Sequence, residues 1–447
     1  MQKTVFKDVI YVSDGRLFRA DLTVEGEYVT LIHDREELPA SAVEDIPRTQ
    51  DVLLPGVIDT HVHTREPGLT HKGDLTTETR AAAAGGVTSI MDMPNVVPQT
   101  TTLDTLRDRF ALAREHAYVN YSFLFGATNT NAATLPQLDP RCVPAVKLFM
   151  GSSTGGMLVD HGDALHDVFR LARLPIVAHC EDSAIISENM RRARAEYGDD
   201  PDVAHHSEIR SREACIRSSR LAAEMARQYG RHLHIAHVST AEELSLAAET
   251  APGHTSRVTL EACLPHLLFC DDDYARLGTC IKCNPAVKTR ADRDALRRAL
   301  TDGSIASIAT DHAPHLPDEK RGGCVRAASG IPMVQFSLVA MLGLVDDGVL
   351  SLPRLVELMC HAPAQLFDID GRGFIREGMK ADIVLLRREP WTLTKDDIVS
   401  RCGWSPLEGR TFGWKVCRTY CNGRLVFDGG RLTADDNAHA RQLAFDR

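Results

Sequence analysis

Two histidines one residue apart, His61 and His63, stand at the end of the run Val57-Ile58-Asp59-Thr60-His61-Val62-His63. Residues two apart on a strand point to the same side. A strand over Val57–His63 would therefore let both imidazoles reach one cation, with Arg65 next as the strand runs out. Taken alone, the pair also suits an ordinary exposed strand end. Other apolar runs, however, carry or end in similar groups: Lys147 in Val146-Lys147-Leu148-Phe149, His179 in Val177-Ala178-His179-Cys180, His237 in Ile235-Ala236-His237-Val238, and Asp311 in Ala309-Thr310-Asp311-His312. A lone polar group in such a run is costly to bury without a partner. A single histidine of this kind is explained by a hydrogen bond in a core. Four histidines and an aspartate spread over separate strands are better explained by convergence on metal. Neutral imidazoles and a carboxylate suit Zn2+. As an ammonium, Lys147 has three donors and no lone pair. It joins a metal set only if CO2 converts it to a carbamate, and otherwise pairs with an acid.

The elements that must position these groups are strands alternating with helices. Eight β-branched or apolar runs predict strands: Val57–His63, Val87–Met93, Val119–Gly126, Ala145–Met150, Ile176–Cys180, His232–Val238, Arg257–Cys263 and Ile305–Asp311. Helix-compatible stretches lie between them, among them Leu75–Ala84, Thr102–His116, Glu208–Tyr229 and Ala241–Glu249. This α/β rhythm predicts a (β/α)8 barrel of the TIM type, with its site at the C-terminal strand ends. A doubly wound sheet is the alternative, but no Gly-x-Gly-x-x-Gly follows the first strand. Both chain ends are β-rich. Asp14-Gly15 and Asn422-Gly423 each separate two apolar runs, the signal of a hairpin, and Ala381–Leu386 adds a further strand. The organisation expected is a small β-domain built from residues 1–53 and 373–447 around a barrel of residues 54–372. Asn189–His206 and His312–Gly330 read as long polar connections, of which one beside a site can serve as a lid.

A chain of 447 residues fits a barrel with an accessory module. Its net charge of −10 argues against a nucleic-acid surface. No apolar stretch of signal-peptide length opens it and none could span a bilayer, so a cytoplasmic protein with no membrane partner is expected. The 12 cysteines are scattered. Cys280 and Cys283, with Cys263 and Cys270 upstream, form a single C-x-x-C without a matching second, and read as buried thiols rather than a structural zinc site.

The same residues sit in longer stretches that resemble the amidohydrolase superfamily and, within it, the longer class I dihydroorotases. The resemblance is carried by Asp59-Thr60-His61-Val62-His63-Thr64-Arg65-Glu66-Pro67-Gly68, Ala82-Ala83-Ala84-Gly85-Gly86-Val87-Thr88 and Met93-Pro94-Asn95. It extends through Lys282-Cys283-Asn284-Pro285, Thr310-Asp311-His312-Ala313-Pro314-His315, Ser329-Gly330-Ile331-Pro332 and Gly378-Met379-Lys380-Ala381-Asp382-Ile383-Val384. It implies a hydrolase with a pair of zinc ions per subunit. His61, His63 and Asp311 would hold one ion, His179 and His237 the other, and a CO2-derived carbamate on Lys147 would bridge them. A hydroxide shared by the ions would attack a cyclic amide, with Asp311 as base and then acid. Arg65, Asn95 and His315 would clamp the carboxylate of dihydroorotate, and Asn284 would contact its ring. The implied reaction interconverts (S)-dihydroorotate and N-carbamoyl-L-aspartate in pyrimidine synthesis. These small molecules are the expected partners, and a homodimer is compatible with the resemblance. Allantoinases tend to carry asparagine at the position of Arg65, and hydantoinases lack the arginine. Both remain the alternatives among enzymes. Against a non-catalytic scaffold stands the retention of all the metal-site positions.

Overall fold

Apolar and polar residues alternate through much of the N-terminal segment, which folds as β1 (Lys3–Ser13), β2 (Arg16–Glu25) and β3 (Tyr28–Leu38). The computed structural model describes residues 3–43, 46–151, 157–160, 162–248, 257–433 and 436–447. Asp14 and Gly15 turn between β1 and β2 at φ 55° and 71°, the left-handed backbone that a two-residue hairpin demands. Asn422 and Gly423, at φ 49° and 74°, do the same between the strands Lys415–Cys421 and Arg424–Asp428. The two chain ends meet in one sheet. Its centre is β4 (Val52–Pro55), parallel to β1 on one side and antiparallel to the strand Ile383–Arg387 on the other. The two-residue period then sorts the side chains. Val52, Leu54, Val384 and Leu386 join the main core, whereas Leu53, Ile383 and Leu385 join a second apolar cluster with Tyr11 and Phe18.

From this sheet the chain passes into the barrel at Gly56. A Cβ there would lie 2.0 Å from Oγ1 of Thr88, so no larger residue fits the crossing. The barrel strands are β5 (Val57–Val62), β6 (Val87–Asp92), β7 (Asn120–Phe123), β8 (Phe125–Gly126), β9 (Val146–Phe149), β10 (Ile176–His179), β11 (His232–Ile235), β12 (Arg257–Cys263) and β13 (Ser307–Ala309). β7 and β8 are one run broken at Leu124, so each of the eight expected strands is present. Pairing is parallel from β5 to β7 and from β8 to β13. The ring closes between first and last strands. The backbone N–H of His63 donates to the carbonyl of His312 at 2.8 Å. Asp59 on β5 accepts from the backbone N and Oγ1 of Thr310 at 3.2 and 2.5 Å. The result is a (β/α)8 barrel beside a sheet built from both termini.

Helix Leu75–Ala84 starts where its cap predicts, Asp74 accepting from the backbone N of Thr77 at 2.7 Å. Asn189–His206 is not a simple connection, because its first part belongs to a helix, Ser183–Tyr197. That helix buries only Ile186 and Ala193, too little apolar periodicity to announce itself. The stretch Glu208–Tyr229 divides into a short helix His206–Ile209 and a long one, Arg212–Tyr229, capped by Ser211. The stretch Ala241–Glu249 forms a 3-10 turn, Glu242–Leu244, and a helix, Ser245–Ala248, with Glu249 outside the described residues. All twelve cysteines carry free thiols. Among the described residues no helix is long and apolar enough to cross a membrane.

Sheet and barrel are joined through buried Asp382. Its carboxylate accepts from the backbone N of Asn422 at 2.7 Å, from Nδ2 of Asn120 on β7 at 3.2 Å, and from Arg372. Replacing it removes the acceptor from three donors at once and leaves a buried guanidinium unpaired. Asp382→Ala should lower the stability of the fold by about 3 kcal/mol, read as a shifted midpoint in urea denaturation.

Candidate active site

A histidine emptied of water must have each ring nitrogen assigned, one carrying hydrogen and the other a lone pair. Three buried imidazoles here have that choice made for them. His61, on β5, donates Nδ1–H to Oε1 of Glu261 at 2.9 Å, which leaves Nε2 as acceptor. His63, just past β5, donates Nδ1–H to Oδ1 of Asn95 at 2.8 Å, again leaving Nε2. His179, ending β10, donates Nε2–H to Oε2 of Glu181 at 2.9 Å and leaves Nδ1. Those lone pairs converge. Nε2 of His61 and of His63 lie 3.4 and 3.1 Å from Oδ1 of Asp311. Nδ1 of His179 lies 3.0 Å from Nε2 of His237, and the rings of His61 and His237 are 5.2 Å apart. Burial lowers the pKa of His63 to about 4, and pushes His179 and His237 below the usual imidazole value. All three are neutral at physiological pH, the form that binds a cation. Against the upward push of burial, the surrounding imidazoles hold the Asp311 carboxyl well below the usual range.

Lys147 completes the cluster from β9. It is 0% exposed, and among the described residues its Nζ has no hydrogen-bond partner. Burial drives its pKa down, and an ammonium left so would be costly. The ring nitrogens and the Asp311 carboxylate are a donor set chemically suited to metal cations, and the buried amine beside them is left without a counter-charge of its own. The ligand atoms of His61, His63 and Asp311 all lie within 4.8 Å of one another.

The backbone at these strand ends is strained. Arg65, His237 and Asp311 have φ of 74°, 39° and 49°, a region non-glycine residues avoid at about 1–3 kcal/mol each. That turn carries each side chain off its strand and into the cavity. The cavity, about 290 Å³, also exposes Asn95, Asn284 and His315, a volume suited to a one-ring molecule. Arg65 is 5% exposed; its Nε donates to the carbonyl of Pro314 at 3.1 Å, and its Nη2 lies 3.1 Å from Nε2 of His315. Burial lowers the guanidinium to about 10, so it stays charged at neutral pH. Oδ1 of Asn284 accepts from Nε2 of His206 at 3.2 Å.

The connection 312–330 is anchored from beneath. The Lys320 ammonium donates to the carbonyls of Lys282, Ala328 and Gly330 at 3.1, 2.7 and 2.9 Å. Lys282 donates in turn to those of Gly323 and Cys324, at 3.3 and 2.8 Å, and to that of Ala327. Two three-donor groups are thus matched to six carbonyls, and they hold the wall that carries Ser329 and Gly330.

All ten residues singled out from the sequence line this one cavity. Sequence reasoning missed the groups behind them. Glu261 accepts from His61, from the backbone N of His237 at 3.1 Å and from Thr60 at 3.2 Å. Glu181 is held at about 2, against burial, by Arg210 and His179. Lys72 lies against His315. A single acid inside the apolar run Val258–Cys263 was the signal available for Glu261.

A model of the amidohydrolase family matches residues 52–426. A dihydroorotase of Halobacterium salinarum is 33% identical over 98% of this chain and 100% of its own length. An allantoinase of Rubrobacter xylanophilus is 34% identical over 89% of each. Among solved structures, the L-hydantoinase (dihydropyrimidinase) of Arthrobacter aurescens superposes with a TM-score of 0.90 at 25% identity, covering 98% of this chain and 99% of its own.

Glu261→Gln keeps the shape but weakens the acceptor that orients His61. Metal affinity should fall about 10–100-fold, measured by competition with a chelator, while circular dichroism stays unchanged.

Proposed function

This chain belongs to the amidohydrolase family, and we propose that it is a dihydroorotase, opening the cyclic amide of (S)-dihydroorotate to N-carbamoyl-L-aspartate and closing it again. The names of its relatives divide between dihydroorotase, allantoinase and hydantoinase, so family membership alone supports a cyclic amidohydrolase and no particular ring. One observation carries the choice. A buried, charged Arg65 faces the same small cavity as the metal-competent cluster. A desolvated guanidinium calls for an anion, and its planar fork matches a carboxylate. Dihydroorotate brings a carboxylate on its ring; hydantoin and allantoin bring none.

In this reading His61, His63 and Asp311 would hold one zinc ion and His179 and His237 a second, with the carbamate of Lys147 shared between them. Bound there, the metals supply an acidified water and polarise the amide carbonyl. The rest falls to the chain. Arg65, Asn95 and His315 receive the carboxylate and Asn284 the ring, so the scissile amide is turned toward Asp311. The Asp311 carboxylate, ionised at neutral pH, takes a proton from the attacking water. As the C–N bond breaks, the oxygen stays on the carbonyl carbon and the nitrogen leaves as the end of a ureido group. Asp311 returns its proton to that nitrogen, and the carboxylate is ready again.

Zinc-loaded protein should turn over dihydroorotate far faster than allantoin or hydantoin in parallel ring-opening assays; turnover of allantoin alone would overturn the assignment. Arg65→Ala should raise KM for dihydroorotate about 100-fold, the loss of a charge-assisted contact, with zinc content unchanged. Loss of zinc instead would mean that Arg65 serves the metals. Lys147→Ala should abolish turnover, with partial recovery on adding formate or acetate; full activity without them would exclude the carbamate.

A further inference from the structure

Lys72 belongs to none of the sequence motifs above. It is 8% exposed and lines the cavity beside Arg65 and His315. Its Nζ lies 2.9 Å from Oε1 of Glu319 and 3.2 Å from Nδ1 of His315. An ammonium can only donate, so Nδ1 must offer it a lone pair. Nε2 has two neighbours, each at 3.1 Å: the carbonyl oxygen of Ser329, which can only accept, and Nη2 of Arg65, which can only donate. With the proton on Nε2, the contacts to Lys72 and Ser329 are both hydrogen bonds and only the one to Arg65 is not. With the proton on Nδ1, Arg65 gains an acceptor, but Ser329 faces a lone pair and Lys72 faces an N–H. Two contacts outweigh one.

The ring has little room to turn away from this arrangement. Gly330, at φ 146°, packs so close that a Cβ there would lie 2.8 Å from Cδ2 of His315. Trp404 donates Nε1–H to the His315 carbonyl at 2.7 Å.

We infer that Lys72 is a positioning residue for the substrate's carboxylate: it holds His315 as the Nε2–H tautomer bonded to Ser329, which keeps Nη2 of Arg65 out of the imidazole's grasp and leaves that donor for the anion. The inference rests on the dihydroorotase reading only for the identity of that anion. The charged groups facing His315 are the cations Arg65, Lys72 and Lys320, the last with its amine lowered by burial to about 7, and Glu319, whose Oε2 is 3.6 Å from Nδ1. Burial and the three cations hold the imidazole well below its usual pKa, so it is neutral in the intact protein.

Removing the Lys72 cation changes the balance in a definite direction. Nδ1 then faces Glu319, an acceptor, and takes the proton; Nε2 becomes an acceptor and captures Arg65. Lys72→Met should therefore raise KM for dihydroorotate about tenfold at pH 8 with kcat within about twofold, equivalent to ~1.4 kcal/mol of substrate binding. Lys72→Arg, which keeps a cationic donor, should restore most of the affinity. Unchanged KM at pH 8, equal damage from Met and Arg, or a loss confined to kcat would each overturn the inference. A second measurement needs no substrate. In zinc-loaded protein labelled with 15N-histidine, the His315 signal, assigned through His315→Gln, should report Nε2–H in the wild type and Nδ1–H in Lys72→Met at pH 8. Nδ1–H in the wild type would overturn the inference even if dihydroorotate is a substrate. Nε2–H in a protein that leaves dihydroorotate untouched would overturn the functional assignment alone.

Discussion

A buried imidazole has one nitrogen that gives a proton and one that accepts, and only its neighbours decide which is which. That constraint organises the centre of this molecule. Glu261, Asn95 and Glu181 each take the proton-bearing nitrogen of one histidine and so turn the other nitrogen of His61, His63 and His179 into the cavity. The acceptor atoms gather there, an arrangement that burial makes costly and that a bound cation would relieve. Glu261 does more than hold a ring, since it also accepts from the backbone of His237. One carboxylate therefore couples the orientation of β5 to that of the turn after β11.

Such coupling is possible only because the strands close into a ring. Residues 59 and 310 are far apart in the chain, yet the carboxylate of one is hydrogen-bonded to the other. Burial raises the pKa of Asp59 to about 6, the mark of a carboxylate retained for its geometry. The left-handed residues Arg65, His237 and Asp311 add a further cost. Strain of this kind persists only where surrounding structure over-determines the conformation. Here that is the apolar core shared by barrel and terminal sheet, bound together at Asp382.

The two sides of the cavity are opposite in character. One is a set of acceptors suited to cations; the other is a cationic corner of Arg65 and Lys72, backed by a wall that Lys320 and Lys282 hold by its carbonyls. A ring molecule with an anionic substituent would be oriented by that contrast before any chemistry, the anion to the arginine and the amide to Asp311. Neutral rings would lack one of the two anchors. Positioning of this kind is a large part of what an enzyme site contributes.

Local pattern was sufficient for much of this. β-branched runs, Asp-Gly and Asn-Gly turns and the alternation with helices are properties of short stretches, and they marked each barrel strand, both hairpins and His61, His63, Arg65, Lys147, His179, His237 and Asp311 in the cavity, whereas Asn95, Asn284 and His315 were marked only by the longer motifs that resemble a known family. The helix Ser183–Tyr197 escaped because a helix lying on the surface buries too few residues to show a period. What no stretch contains is the identity of a partner hundreds of residues away. Glu261 reads as one acid in a strand until the fold sets it beside His61, and Lys72 as one more charge until it meets Nδ1 of His315. The chain by itself determined which chemical groups would stand at the ends of the strands. Only the closed barrel decided which nitrogen of each imidazole bears the proton, because a tautomer depends on contacts across space and not on order along the backbone.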